Sequence, residues 1–282
     1  MTELRLSGGA LDGLTLHYVS AGRGPAVVLL HGLGGFAESW RRTVEALAPR
    51  HTVIALDLPG FGHSAKPQAH YGLGFFADAL GGFLDGLGLG SVSLVGHSLG
   101  GAAAVAFTLT RPTRVERLAL IGALVPGFYR LSLPYRLAVL PVLGDILALV
   151  RSARLYKGAL ARCFYAPDRA EVDFLVDHGY AERTCWAARV AFLKTLRDAR
   201  ADLVLRAPDY RRAIATLDVP VLFVHGRQDN VIPAGSCRQA TAGFRRAEIR
   251  WLDDCGHFPQ LEHSTVVNEW LGAFVAERPA PR

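Results

Sequence analysis

Three residues in this chain, a serine, an aspartate and a histidine, each follow an aliphatic run that breaks into a glycine-containing turn. Ser98 lies in Gly96-His97-Ser98-Leu99-Gly100, between the apolar run at 92–95 and the small, aliphatic run at 102–109. A strand that turns at once into a helix leaves no room for side chains two residues either side of the turning residue, so glycine suits both places. Such a turn lifts the serine hydroxyl above the carboxyl end of a sheet. There it sits beside helix N-terminal N–H groups that favour developing negative charge. The five-residue pattern is weak alone. With a strand before it, a helix after it and Gly101 extending the small-residue face, it reads as a nucleophile elbow.

A serine alcohol is a poor nucleophile near neutral pH and needs a base to take its proton. The run at 221–224 ends in His225-Gly226-Arg227-Gln228-Asp229, which places Asp229 just past a strand end. The run at 249–252 ends in Asp253-Asp254-Cys255-Gly256-His257-Phe258-Pro259 and places His257 likewise, with Gly256 letting the imidazole approach closely. The order Ser98, Asp229, His257 is that of a strand-end triad. Asp253 and Asp254 are too near His257 in sequence to orient it, Asp218 precedes its strand, and Gly122-Ala123 offer no carboxylate. His31 and His225 head loops where turn-stabilising hydrogen bonds are the expected work, His263 begins the last helix, and His63, His70 and His97 precede the acid. Acyl transfer also needs oxyanion donors, each often worth about 3 kcal/mol. The Leu99 amide is one. The other is expected from His31-Gly32-Leu33-Gly34-Gly35, with the Leu33 amide the first choice and Gly34 the alternative.

These residues must be held by a frame, and the pattern around them supplies one. Residues 3–7 and 14–20 alternate apolar and polar around Gly8, Gly9, Asp12 and Gly13, an antiparallel hairpin at a sheet edge. The runs at 26–30, 52–56, 92–95 and 115–121 alternate with helical segments near 39–48, 75–87 and 102–109. That rhythm implies parallel βαβ units and a doubly wound α/β sheet. From Val125-Pro126-Gly127 to about Tyr210 it stops. Helical segments are expected there, near 132–150, 153–163, 169–178 and 183–205, before strands return at 219–224 and 248–252 and a helix closes the chain at 264–276. The predicted organisation is a core of residues 1–124 and 211–282 with a helical lid at 125–210.

Composition narrows the field. Half of the 282 residues are hydrophobic, enough for a large core. The net charge of +6 is spread over scattered basic residues without interleaved aromatics, which argues against nucleic acid. The four cysteines form no C-x-x-C pair and read as reduced thiols, no basic-then-apolar leader opens the chain, and no apolar run of about 18 residues spans a membrane, so a cytoplasmic protein is expected. No His/Asp/Cys group has metal-ligand spacing, and neither a metal nor a cofactor is expected.

With HGLGG, DLPGFGHS, GHSLGG, HGRQD and GHFP in order, the chain resembles the α/β-hydrolase superfamily over about residues 14–124 and 212–275. The resemblance implies the α/β-hydrolase fold, a mostly parallel sheet with an inserted helical lid, and a Ser98-Asp229-His257 triad. It also implies that Asp57, Gly60, Gly62 and Ser64 are mainly structural. One fold hosts many activities, so three are weighed. The first is hydrolysis of a carboxylic ester of an apolar acyl substrate through an acyl-enzyme on Ser98. The second is C–C hydrolysis of ring-cleavage products, as in 2-hydroxy-6-oxo-dienoate hydrolases. Those usually carry G-N-S where this chain has G-H-S, and they use a lid arginine, for which Arg183 or Arg189 would serve. The third is a ligand sensor on a hydrolase scaffold. His31, Gly32, Gly34, His97 and Trp186 are expected to border the substrate, with Phe128, Tyr129, Phe164, Tyr165 and Phe192 as further aromatic candidates. The apolar stretch 131–150 of the lid suits a tunnel wall or transient contact with a membrane surface.

Overall fold

In the computed structural model, which describes residues 2–128 and 152–277, eight strands form one sheet in the order β1-β2-β4-β3-β5-β6-β7-β8. They are β1 Thr2–Arg5, β2 Thr15–Ala21, β3 Ala26–Leu30, β4 Thr52–Leu56, β5 Val92–His97, β6 Val115–Ile121, β7 Val221–Gly226 and β8 Ala247–Leu252. The β1/β2 hairpin pairs antiparallel at one edge, and every pair from β4 through β8 is parallel. The described helices are α1 Arg41–Leu47, α2 Leu73–Gly86, α3 Leu99–Thr110, α4 Ala153–Ala161, α5 Arg169–Thr184, α6 Trp186–Arg200, α7 Ala207–Ile214, α8 Ala234–Gly243, α9 Pro259–Glu262 and α10 Ser264–Ala276. The expected helix at 132–150, and with it the apolar surface expected at 131–150, lies outside the described residues.

The continuous aliphatic runs are explained by burial on both faces. Successive residues of a strand point to opposite sides, and here they alternate between two cores. Val28, Leu30, Leu94, Leu118, Leu120 and Phe223 pack under α2 and α3. Val27, Leu29, Val95, Ile121, Leu222 and Val224 pack under α1 and α10, against Leu47, Val267 and Leu271. Each such side chain stabilises by roughly 1.5–3 kcal/mol, so a one-residue slip in register would expose neither face cheaply. A third, smaller cluster joins Phe36 and Leu261 to Phe164, Val172, Leu175 and Val176, and so docks α5 and the turn after α4 onto the sheet's carboxyl edge. Among the described residues no helix is long and apolar enough to cross a membrane.

The strand order carries a consequence for function. β3 lies between β4 and β5, so the chain turns one way after β3 and the other way after β5. In open parallel sheets the crevice at that reversal is where ligands sit. The loop 31–35 and Ser98 both stand there.

Candidate active site

Ser98 is forced into place by its neighbours. Its backbone lies at φ 51°, ψ −117°, a strained conformation for a residue with a side chain. Glycine is required around it: a Cβ on Gly100 would lie 2.2 Å from the Leu30 carbonyl oxygen, and one on Gly96 2.6 Å from the Gly100 oxygen. The first turn of α3 therefore presses directly on the end of β3. Ser98 is buried, at 7% exposure, and its Oγ lies 3.1 Å from His257 Nε2.

His257 Nδ1 lies 2.9 Å from Asp229 Oδ2, and that carboxylate is fully committed. Its Oδ1 accepts the Val231 and Ile232 amides, both at 2.8 Å. Burial pushes the Asp229 carboxyl up, but the charge and hydrogen bond of His257, with His225 and the Ile232 amide, outweigh it and hold the group below the usual carboxylate range. An ionised Asp229 fixes the proton of His257 on Nδ1 and leaves Nε2 as the acceptor facing Ser98. That arrangement can take the serine proton and return it to a leaving group.

The histidines near Ser98, Asp229 and His257 are braces. His97 Nε2 donates to the His257 carbonyl at 2.8 Å, and burial, with His257 close by, lowers its pKa to about 3, so it stays neutral. His31 donates from Nδ1 to the Gly32 carbonyl at 2.7 Å and accepts the Leu58 amide on Nε2 at 3.0 Å. Both ring nitrogens of His31 are thus spent on shaping the loop 31–35. His225 donates from Nε2 to the Ile232 carbonyl at 2.9 Å and steadies the Asp229 turn.

A cavity of about 340 Å³ opens on Ser98 and His257. The expected contacts His31, Gly32, Leu33, Gly34, His97 and Leu99 all line it. Among the described residues the Leu33 and Leu99 amides have no acceptor, as oxyanion donors require. The far wall comes from one face of α4, with Tyr156, Ala159, Leu160 and Cys163, and one face of α6 and the turn after it, with Phe192, Thr195, Leu196, Ala199, Arg200 and Leu203. Most of the lining is apolar.

Several expectations are corrected here. Trp186 is 62% exposed and does not line the cavity, because it opens α6 on a face turned away from it. Of the other aromatics Phe192 alone lines the wall; Phe128, Phe164 and Tyr165 do not, and Tyr129 lies outside the described residues. Arg189 is buried without reaching the cavity; the arginine on the wall is Arg200. Gly256 is needed for a different reason than imidazole approach: a Cβ there would lie 2.5 Å from the Cys163 carbonyl oxygen. That carbonyl accepts the His257 amide at 2.8 Å.

Two residues were missed from sequence. Glu262 accepts the Gly256 amide (3.0 Å), the Phe258 amide (3.1 Å) and the Tyr165 amide (2.8 Å), so one carboxylate clamps the histidine loop and the chain after α4 together. A carboxylate five residues after the base was the available signal. Gln260, 4% exposed, lines the cavity and makes no side-chain hydrogen bond among the described residues, with Oε1 buried and unpaired.

Comparison with known proteins agrees with this frame. A family model described as the alpha/beta hydrolase family matches residues 27–270. The chain is 32% identical over 250 residues to an uncharacterized protein of Mycobacterium tuberculosis, covering 85% of this chain and 72% of that one. It is 30% identical over 281 residues to the 2-hydroxy-6-oxo-2,4-heptadienoate hydrolase of Pseudomonas putida, covering 93% and 94%. The solved 2-hydroxy-6-oxo-6-phenylhexa-2,4-dienoate hydrolase from Rhodococcus sp. strain RHA1 is similar with a TM-score of 0.82 at 26% identity, over 97% of this chain and 98% of that one.

Proposed function

We propose, since the chain belongs to the alpha/beta hydrolase family, that it is a serine hydrolase that cleaves the C–C bond beside the 6-oxo group of a 2-hydroxy-6-oxo-dienoate. The observation that carries the hydrolase reading is the Ser98–His257–Asp229 chain of contacts at 3.1 and 2.9 Å, opening on a mainly apolar cavity. The dienoate reading is supported by relatives matched along almost the whole chain, a 2-hydroxymuconate semialdehyde hydrolase and a 2-hydroxy-6-oxo-2,4-heptadienoate hydrolase. It is supported too by Arg200, a cation on the cavity wall suited to a substrate carboxylate. The apolar wall suits the dienyl chain.

The steps follow from the geometry. Ser98 Oγ adds to the 6-oxo carbon while His257 Nε2 takes its proton. The Leu33 and Leu99 amides hold the resulting oxyanion. The substrate reacts as its 2-oxo tautomer, in which the 2-hydroxyl proton has moved to C5. Collapse then breaks the C5–C6 bond, the departing electron pair forms the conjugated 2-oxido dienolate of the acid fragment, and that fragment takes the proton from His257. The acyl group remains on Ser98. Water, deprotonated by His257, then releases it as a carboxylic acid.

Ester hydrolysis is the second reading, favoured by one observation: Leu33, Leu124, Leu160, Leu175, Leu196 and Leu203 all face the cavity, and such a wall accepts a plain acyl chain. The test runs both substrates on wild type and Ser98→Ala. Loss of the dienoate chromophore is followed for 6-methyl and 6-phenyl dienoates, and p-nitrophenyl esters from C2 to C16 are followed alongside. A dienoate kcat/KM at least 100-fold above that of the best ester is expected. The reverse ranking selects the ester reading, and a folded enzyme that turns over neither overturns both.

A further inference from the structure

The turn 57–64 takes no part in the reaction proposed above, yet it brings together a second group of side chains. One donor atom each from His17 on β2, Glu38 in the short 3-10 turn Ala37–Trp40 and His63 lie within 4.8 Å of one another. Sequence spacing gave no hint of it, because the three residues come from separate segments that meet only when β2 pairs with β4.

Asp57 organises the three segments. Its Oδ2 accepts His17 Nδ1–H at 2.8 Å and the His63 amide at 2.7 Å, and its Oδ1 accepts the Ala37 amide, beside Glu38, at 2.6 Å. With Nδ1 committed as a donor, His17 offers the lone pair of Nε2. A carboxylate behind the far nitrogen is the arrangement that fixes tautomer and ring angle in metal-ligating histidines. The His17 and His63 rings lie 4.9 Å apart between centroids. The Asp57 hydrogen bonds account for His17 and for the backbone of the turn, and the Glu38 carboxylate stands near the His17 and His63 rings.

A small cavity of about 60 Å³ borders Glu38 and His63, room for an ion and its remaining waters. Lys66 also borders it, and its ammonium donates to the Gly62 and Ser64 carbonyls at 2.7 and 3.1 Å. Two imidazoles and one carboxylate suit Zn²⁺, with a fourth position left to water. Donors around Zn²⁺ at about 2.05 Å sit about 3.4 Å apart. The present spread closes to that by rotation of Glu38 and His63, the two less buried ligands.

We propose that His17, Glu38 and His63 form a divalent metal site of the zinc class, oriented by Asp57 and separate from the Ser98 centre. Its small cavity shares Gly34, Gly35 and Phe36 with the active-site cavity, so an ion there would stiffen the loop that carries the Leu33 amide. The test uses the full chain, stripped with a chelator and titrated with ZnCl₂ by calorimetry and by thermal melting. One ion per chain is expected, with a Zn²⁺-dependent rise in Tm. His63→Ala and Glu38→Gln should each weaken binding at least ten-fold, while the control His70→Ala, on an exposed ring, leaves it unchanged. Absence of one-to-one binding below about 100 µM Zn²⁺ overturns the proposal, as does binding that survives both variants or is lost with Cys185→Ser.

Discussion

Replacing Asp229 with asparagine tests the triad at its most constrained point. Asp229 Oδ1 holds two amides at 2.8 Å, and Oδ2 holds His257 Nδ1 at 2.9 Å, all at 5% exposure. An asparagine has one acceptor oxygen and one NH₂ for these two places. If the oxygen keeps the Val231 and Ile232 amides, the NH₂ faces His257 and demands a lone pair on Nδ1. The imidazole proton then moves to Nε2, and Ser98 loses its base. If the amide flips, the tautomer is right, but two buried N–H groups face an NH₂. Each unsatisfied donor costs about 1–3 kcal/mol, so the flipped state lies about 2–6 kcal/mol higher. At 1.36 kcal/mol per decade, activity carried by that state alone falls roughly 30-fold to 10⁴-fold. The fold should survive, because the preferred orientation keeps both turn hydrogen bonds. The assay is kcat/KM on the better of the two substrate classes, with a thermal melt beside it. A loss within that range and a Tm within a few degrees of wild type are expected. A rate within three-fold of wild type would refute the assignment and move the orienting role to Asp253 or Asp254.

Ser98→Ala should lose the acyl-enzyme, seen as the absence of a mass increment after substrate is mixed and quenched. Gly100→Ala sets a Cβ 2.2 Å from the Leu30 carbonyl oxygen and should destabilise by about 3 kcal/mol or more; a melt like that of wild type would contradict the tight β3–α3 contact. Arg200→Gln should raise KM for a dienoate at least ten-fold and leave a neutral p-nitrophenyl ester unchanged; equal effects on both would deny Arg200 the carboxylate. Stability should fall on acidification. Burial holds the His97, His31 and His225 imidazoles below 6.5, so the unfolded chain protonates first. Their contribution is complete above pH 6.5 and shrinks below it, for His97 down to about pH 3 at about 1.4 kcal/mol per pH unit. His17 runs the other way: its hydrogen bond to Asp57 raises its pKa, so what it adds is complete below 6.5 and lost as pH climbs past its folded value. A Tm that drops from pH 7 to 5, less steeply in His97→Gln, is expected; a flat profile would count against three buried neutral histidines.

The hydrogen-bonded Ser98–His257–Asp229 chain was legible in sequence because each member is fixed by local chemistry. Turn glycines, aliphatic runs and chain order place Ser98, Asp229 and His257 without reference to distant contacts, and the two-faced burial of β3 to β7 explains why those runs are unbroken. What resisted reading is what depends on how one element is rotated against another. On α6 the aromatic Trp186 looked like a pocket residue, yet it is exposed while Phe192 reaches the cavity. Six residues turn a helix through about 600°, which leaves the two side chains about 120° apart around the axis. The cavity face was written in the chain as Phe192, Thr195, Leu196, Ala199, Arg200 and Leu203, spaced by threes and ones as a single helical stripe. Its mixed chemistry hid it: a threonine, an alanine and an arginine do not stand out where only apolar or aromatic residues are sought. The same stripe now bears on substrate choice. A wall that served only acyl chains would gain nothing from Arg200 at its end, whereas a substrate with an apolar body and a carboxylate at one end uses both. The presence of that one cation on a mostly apolar stripe is therefore the feature that separates the dienoate reading from the ester reading, and the KM of Arg200→Gln on the two substrates is where they part.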